Sequence, residues 1–121
     1  MYDHLTIRVK NVAHSKRFYE LALAPLGITV QTADDEGVGF GTPDNITFWI
    51  ALGTPVTEAV HIAFSSPSRA AVKAFHVGAM EGGGKDNGEP GLRAAYAPTY
   101  YAAFAYDPDG NNIEAVCHKK E

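Results

Sequence analysis

Sliding the chain along itself by 57 positions superimposes His4 on His61, Ala13 on Ala70, Lys16 on Lys73, Phe18 on Phe75, Ala22 on Ala79 and Gly27 on Gly84. An internal repeat constrains a fold more than any local propensity, because each copy must adopt the same supersecondary unit. The pattern of elements repeats with the residues. Each copy opens on a short strand with His near its start, passes a polar break, enters an amphipathic helix and leaves it at a glycine.

In the first copy, HLTIRV alternates His4, Thr6 and Arg8 with Leu5, Ile7 and Val9, the period-two signature of a strand with one face on a core. Asn11 is placed to cap a helix whose apolar positions include Phe18, Leu21 and Ala22, and Pro25 and Gly27 end it. ITVQTAD, EGVGFGT and NITFWIAL then read as three strands divided by DDEG and TPDN, giving βαβββ. The second copy opens with VHIAFSS. Ser66 is expected to cap its helix, with Pro67 in the first turn and Val72, Phe75 and Ala79 as the buried stripe. EGGGKDNGEPG reads as a long loop, a weak strand is expected around 92–96, and TYYAAFAYD and NIEAVCH follow as strands around the DPDGN turn. The copies span 1–53 and 58–121. With about 55 residues and one apolar helix face apiece, neither has enough core to stand alone, so residues 1–121 are expected to form one α+β domain.

A chain of 121 residues with a net charge of −4, 45% hydrophobic and 20% charged, has the composition of a globular protein. A single cysteine, Cys117, excludes a disulfide within the chain. MYDHLTIRVK lacks the apolar run of a signal peptide, and no stretch reaches the length of a membrane span, so a cytoplasmic location is expected. The acidic balance, without a Lys/Arg block, argues against nucleic acid as a partner. GGGK is not a phosphate loop, because Asp86 follows Lys85 where Ser or Thr is required. DPDGNN departs from a calcium loop in having Gly110 at the fourth place, and reads as a hairpin turn.

A His opening each repeat, SKRFYELALAPLG in the first helix and YYAAFAYDPDGNNIEAV at the end together resemble the glyoxalase, bleomycin-resistance and extradiol-dioxygenase superfamily, also called the vicinal oxygen chelate fold. The resemblance spans nearly the whole chain. It implies two βαβββ modules forming a half-open barrel, with helices outside and a metal or ligand pocket inside. It also implies metal ligands at His4, His61 and Glu114. A fourth position, acidic in many relatives, falls here on Thr47.

Two imidazoles and one carboxylate suit one divalent ion, Fe, Mn, Zn, Ni or Co, and leave positions open for a bidentate substrate. Such an ion polarises a carbonyl or, as Fe(II), presents O₂. Strand parity puts all three candidate ligands on faces away from the apolar stripes. Arg8, Arg93, Tyr96 and Tyr100 are expected to contact substrate and Trp49 to form a pocket wall. Tyr101 is expected to act with Glu114 in catalysis as a proton donor. His118 is a secondary candidate, His14 and His76 read as surface residues, and Cys117 as an inert core thiol.

Two functions stay open at this level. One is a metal-dependent lyase, isomerase, transferase or dioxygenase acting on a small molecule with adjacent oxygens. The other is a metal-free sequestering protein of the bleomycin-resistance type, with Glu114 paired to Arg8. The resemblance implies a homodimer in either case, and leaves open whether the barrel closes within one chain or across two.

Overall fold

The computed structural model describes all 121 residues. Module 1 comprises β1 (Leu5–Val9), α1 (Val12–Leu23), a 3₁₀ turn (Ala24–Leu26), β2 (Thr29–Asp34), β3 (Gly37–Thr42) and β4 (Asn45–Leu52). Module 2 comprises β5 (His61–Ser65), α2 (Arg69–Glu81), β6 (Lys85–Leu92), β7 (Tyr101–Tyr106) and β8 (Asn112–Cys117). Each module makes one four-stranded sheet, and the orders β1-β4-β3-β2 and β5-β8-β7-β6 are equivalent. In each, the first strand runs parallel to the last and the remaining pairs are antiparallel. The two sheets form the expected half-open arrangement and do not close into a barrel.

Residues 15, 18, 19, 22 and 23 of α1 are buried, which is the i, i+3, i+4, i+7, i+8 stripe of a helix lying on a core. Asn11 caps it, its side chain accepting the amide of His14 at 2.9 Å. The second helix starts later than expected. Ser68, not Ser66, is its cap and accepts the amide of Ala71 at 3.0 Å, while the Ser66 hydroxyl donates to Ser68 O. Pro67 therefore lies before the cap.

The helices pack on one another as well as on their sheets. A Cβ added to Gly78 would stand 2.1 Å from Leu21 O, and one on Gly82 would stand 2.7 Å from Phe18 Cα. Only hydrogen fits at this crossing. Within the GGG run, Gly82 thus serves helix packing, Gly84 lies against the Phe18 ring, and Gly83 takes a φ of +94° in open space.

One continuous core holds both modules, from Ile7, Val9, Phe18 and Phe48 to Phe75, Ile113 and Cys117. Phe48 meets Phe64 edge-on with ring centroids 5.4 Å apart, joining β4 of one module to β5 of the other. The thiol of Cys117 is buried in this core, as expected.

EGGGKDNGEPG contains a strand, β6, where a loop was expected. It lies on the sheet edge, so Pro90 costs no ladder bond toward a neighbour, and its pairing to β7 breaks around Gly88 and again before Gly91. The strand expected at 92–96 does not form beyond Leu92; bends and turns follow. The DPDGNN turn anchors the modules together. Asp107 Oδ1 accepts the amides of Asp109 and Asn111. The Asn111 amide group donates to Asp107 Oδ2 and to Thr57 O in the linker, and its oxygen accepts from Val60 N. No helix is long and apolar enough to cross a membrane.

Candidate functional site

The polar face of the module 2 sheet carries the densest group of chemistry-bearing side chains. Parity on β8 sends Ile113, Ala115 and Cys117 into the core and Glu114 to the opposite face, as the sequence requires. Glu114 is nonetheless only 1% exposed. A buried carboxyl group needs partners, and it has two. Its Oε1 lies 2.8 Å from His61 Nε2, and its Oε2 accepts the hydroxyl of Tyr100. The contact with Glu114 holds the imidazole ring of His61 in one orientation.

His61 bridges this buried group and the surface, its side chain being 53% exposed. It also lines a cleft of about 480 Å³ between β1 and β5, with Leu5, Ile7, Val60 and Ile62 among the apolar walls. Tyr100 is set between Tyr96 and His118, with ring centroids 5.1 and 5.2 Å from its own and near-perpendicular planes. Burial, followed by the hydrogen bond to Glu114, pushes its hydroxyl up to about 12. At neutral pH it is therefore a hydrogen-bond donor. His118, only a secondary candidate from sequence, joins this group.

Arg93 enters from the segment after β6. Its guanidinium carbon lies 5.3 Å above the ring of Phe104, which is paired with Glu114 across β7 and β8 and so shares its face. Arg93 Nη2 donates to Glu89 O at 2.7 Å. Tyr96 is 67% exposed and forms an outer wall.

Other expected residues lie elsewhere. Tyr101 is opposite Cys117, packs against the core and carries Arg69 over its ring at 5.0 Å. The strand alternation that aims Glu114 at the polar face turns Tyr101 toward α2, and Tyr100, at the strand's mouth, takes the place beside the carboxylate. Arg8 is exposed, with its nearest acceptor Thr54 O at 3.5 Å, and does not pair with Glu114. Trp49 is half-buried on the open face of module 1, where a Cβ on Gly39 would stand 2.9 Å from its ring. Thr47 is the extra residue of a bulge, because pairing jumps from Phe40↔Phe48 to Gly41↔Ile46.

The implied metal can be tested against this donor set. Two ligands about 2.1 Å from one ion stand about 3 Å apart at right angles, so the 2.8 Å separation of His61 Nε2 and Glu114 Oε1 fits adjacent ligands. The third expected donor does not join them. His4 precedes β1, is exposed, and has its Nδ1 2.6 Å from Asp3 Oδ1. No three His, Cys, Asp or Glu side chains are gathered as a metal-holding group.

Sequence reasoning missed two supports of the site. His76, read as a surface residue, is 13% exposed in its side chain and lies 2.8 Å from Asp86 Oδ1, an atom that also accepts Gly88 N. Gly88 and Gly91 are close to Arg93: a Cβ on either would stand 3.1 Å from a guanidinium nitrogen. The glycine spacing in DNGEPG was the available signal, but it reads as loop chemistry until the arginine is placed.

Comparison with known proteins agrees with this architecture. A search of curated proteins finds no match. Among solved structures, a glyoxalase/bleomycin resistance protein from Albidiferax ferrireducens T118 is 30% identical, with 97% of this chain and 98% of that chain covered and a TM-score of 0.83. A glyoxalase/dioxygenase from Nostoc punctiforme shares the fold at 20% identity and a TM-score of 0.71, covering 99% of this chain and 92% of its own. A family enzyme from Burkholderia phytofirmans PsJN does so at 13% identity and a TM-score of 0.71, covering 97% and 98%. The model of the Glyoxalase/Bleomycin resistance protein/Dioxygenase superfamily matches residues 2–115, and with two equivalent βαβββ modules behind that match, the chain belongs to this superfamily.

Proposed function

We propose that this chain is a small-molecule enzyme that binds one divalent metal ion through His61 and Glu114, with His4 completing the set only after it leaves Asp3, and acts on a substrate presenting adjacent oxygens. The observation that carries the reading is the contact between a fully buried carboxyl group and an imidazole that opens onto a cleft. When bound, an ion of the Fe, Mn, Zn, Ni or Co type supplies Lewis acidity at the substrate oxygens, or O₂ activation in the case of iron. The chain's own residues do the rest. Glu114 fixes the His61 ring, and the Tyr100 hydroxyl holds a proton at Glu114 Oε2, where Tyr101 was expected to serve. Tyr96 walls the outer side. A homodimer is part of this proposal, and size-exclusion chromatography with light scattering tests it.

Metal analysis of protein purified without chelator tests the central claim. About one ion per chain is expected, lost in His61→Ala and Glu114→Gln and weakened in His4→Ala. A protein that stays empty after incubation with Fe, Mn, Zn, Ni and Co overturns it. The second reading, metal-free sequestration in the cytoplasm, is favoured by one observation: Tyr100 and His61 already occupy both oxygens of Glu114.

A further inference from the structure

Arg93 is the charged group of the site that has no counter-charge. It makes no salt bridge, since the four in the structure involve His4, Lys16, His61 and His76. One of its five guanidinium N–H groups is used, donating to Glu89 O. The group is nevertheless held in position. Phe104 supports it from below, and Gly88, at φ +153°, and Gly91 let the backbone of β6 pass close beside its nitrogens. Gly88 is in turn fixed by Asp86 and His76. A merely solvated arginine needs none of this. Its surroundings on that face are aromatic: Phe104, Tyr100, and the His61 ring 6.2 Å from Phe104.

We infer that Arg93 is the anion-recognition group of the site and that the substrate is a small organic carboxylate, seated with its carboxylate on the guanidinium and its body over the aromatic rings. The planar fork of unused donors matches a carboxylate in two-point geometry, which is where arginine exceeds lysine. The inference rests on the reading that the His61–Glu114–Tyr100 face is the ligand site, but not on whether a metal binds there. It adds a specificity that the family match does not supply, namely rejection of neutral molecules of the same shape. That rejection follows because a neutral ligand would cover Arg93 without pairing its charge.

Benzoate and its neutral isostere benzamide are suitable probes, followed through the amide shifts of Gly88 and Gly91 by nuclear magnetic resonance on the full chain. Saturable benzoate binding is expected, at least about tenfold tighter than benzamide, with the preference abolished in Arg93→Gln and partly kept in Arg93→Lys. Unchanged melting temperature and metal content in Arg93→Gln establish that the fold is intact. Equal affinity for the two probes, undiminished benzoate binding by Arg93→Gln, or no saturable binding overturns the inference. Each titration is run with EDTA and again with added Zn(II). A chain that takes up none of Fe, Mn, Zn, Ni or Co yet keeps the Arg93-dependent preference sinks the metal reading alone, whereas a metal-loaded chain indifferent to charge sinks this inference alone.

Discussion

The phenol of Tyr19 donates a 2.5 Å hydrogen bond to Asp107 Oδ2, joining residues 88 positions apart and tying the first helix to the last hairpin turn. Both groups are buried, and burial, then the neighbouring Asp107, raises the Tyr19 hydroxyl well above its ordinary value of 10.0. Tyr19→Phe keeps the ring in the core and removes only the hydroxyl. A loss of about 1–2 kcal/mol in urea unfolding is expected, since Asp107 Oδ2 keeps its bond from Asn111. Asn111→Ala should cost more, because it loses three bonds at once.

At the helix crossing, Gly78→Ala is expected to be among the most damaging single-methyl changes in the chain. The added carbon meets backbone, which cannot swing aside. A cost of about 2–3 kcal/mol, read as a fall in urea midpoint, is expected, and Gly78→Val should exceed it. The same substitution at Gly83, where a Cβ meets nothing within 4 Å but φ is +94°, should act through backbone strain alone and cost less.

The Tyr100 hydroxyl gives the site an alkaline signature. Its folded value is about 12 against an ordinary 10.0, so the unfolded chain releases this proton first as pH rises. The associated stability is whole below pH about 10 and is lost as pH climbs through about 12. Tyr100→Phe should remove that part of the slope. In a wild-type minus variant absorbance titration of phenolate, the difference step should appear near 12; a step near 10 would show that the Glu114 contact is not made.

The His76–Asp86 pair holds the Gly88 amide, in the stretch of β6 beside Arg93. Hydrogen bonds from Gly88 and then from His76 hold the Asp86 carboxyl below its ordinary range. The contribution of a depressed acid is present above its unfolded value of 3.8 and fades as pH falls through the folded one. Asp86→Ala should therefore speed hydrogen exchange at the Gly88 amide at neutral pH while leaving β8 amides unchanged. Uniform acceleration across the sheet would mean that the pair supports the whole fold instead.

Much of the architecture was legible because it is periodic. Alternation in HLTIRV and the spacing of Phe18, Leu21 and Ala22 announce a strand and a helix, and the 57-residue offset announces that the unit occurs twice. β6 was illegible for a physical reason: Gly88, Pro90 and Gly91 are admissible only because it lies on an edge with broken pairing, and edge position is a tertiary property. Parity correctly aimed His61 and Glu114 to one face. It could not choose between Tyr100 and Tyr101, since that depends on where β7 begins. Nor could it foresee that His4, outside the first register pair Leu5↔Phe48, would turn to Asp3.

The common core has a practical corollary. A chain nicked between Gly53 and Val60 would yield two fragments, each presenting half of a dry interface, with Phe48 and Phe64 on opposite sides of the cut. Neither should fold in isolation, yet mixing them should regenerate the native spectrum. The two halves would then behave as a complementing pair, suited to reporting proximity when fused to separate proteins.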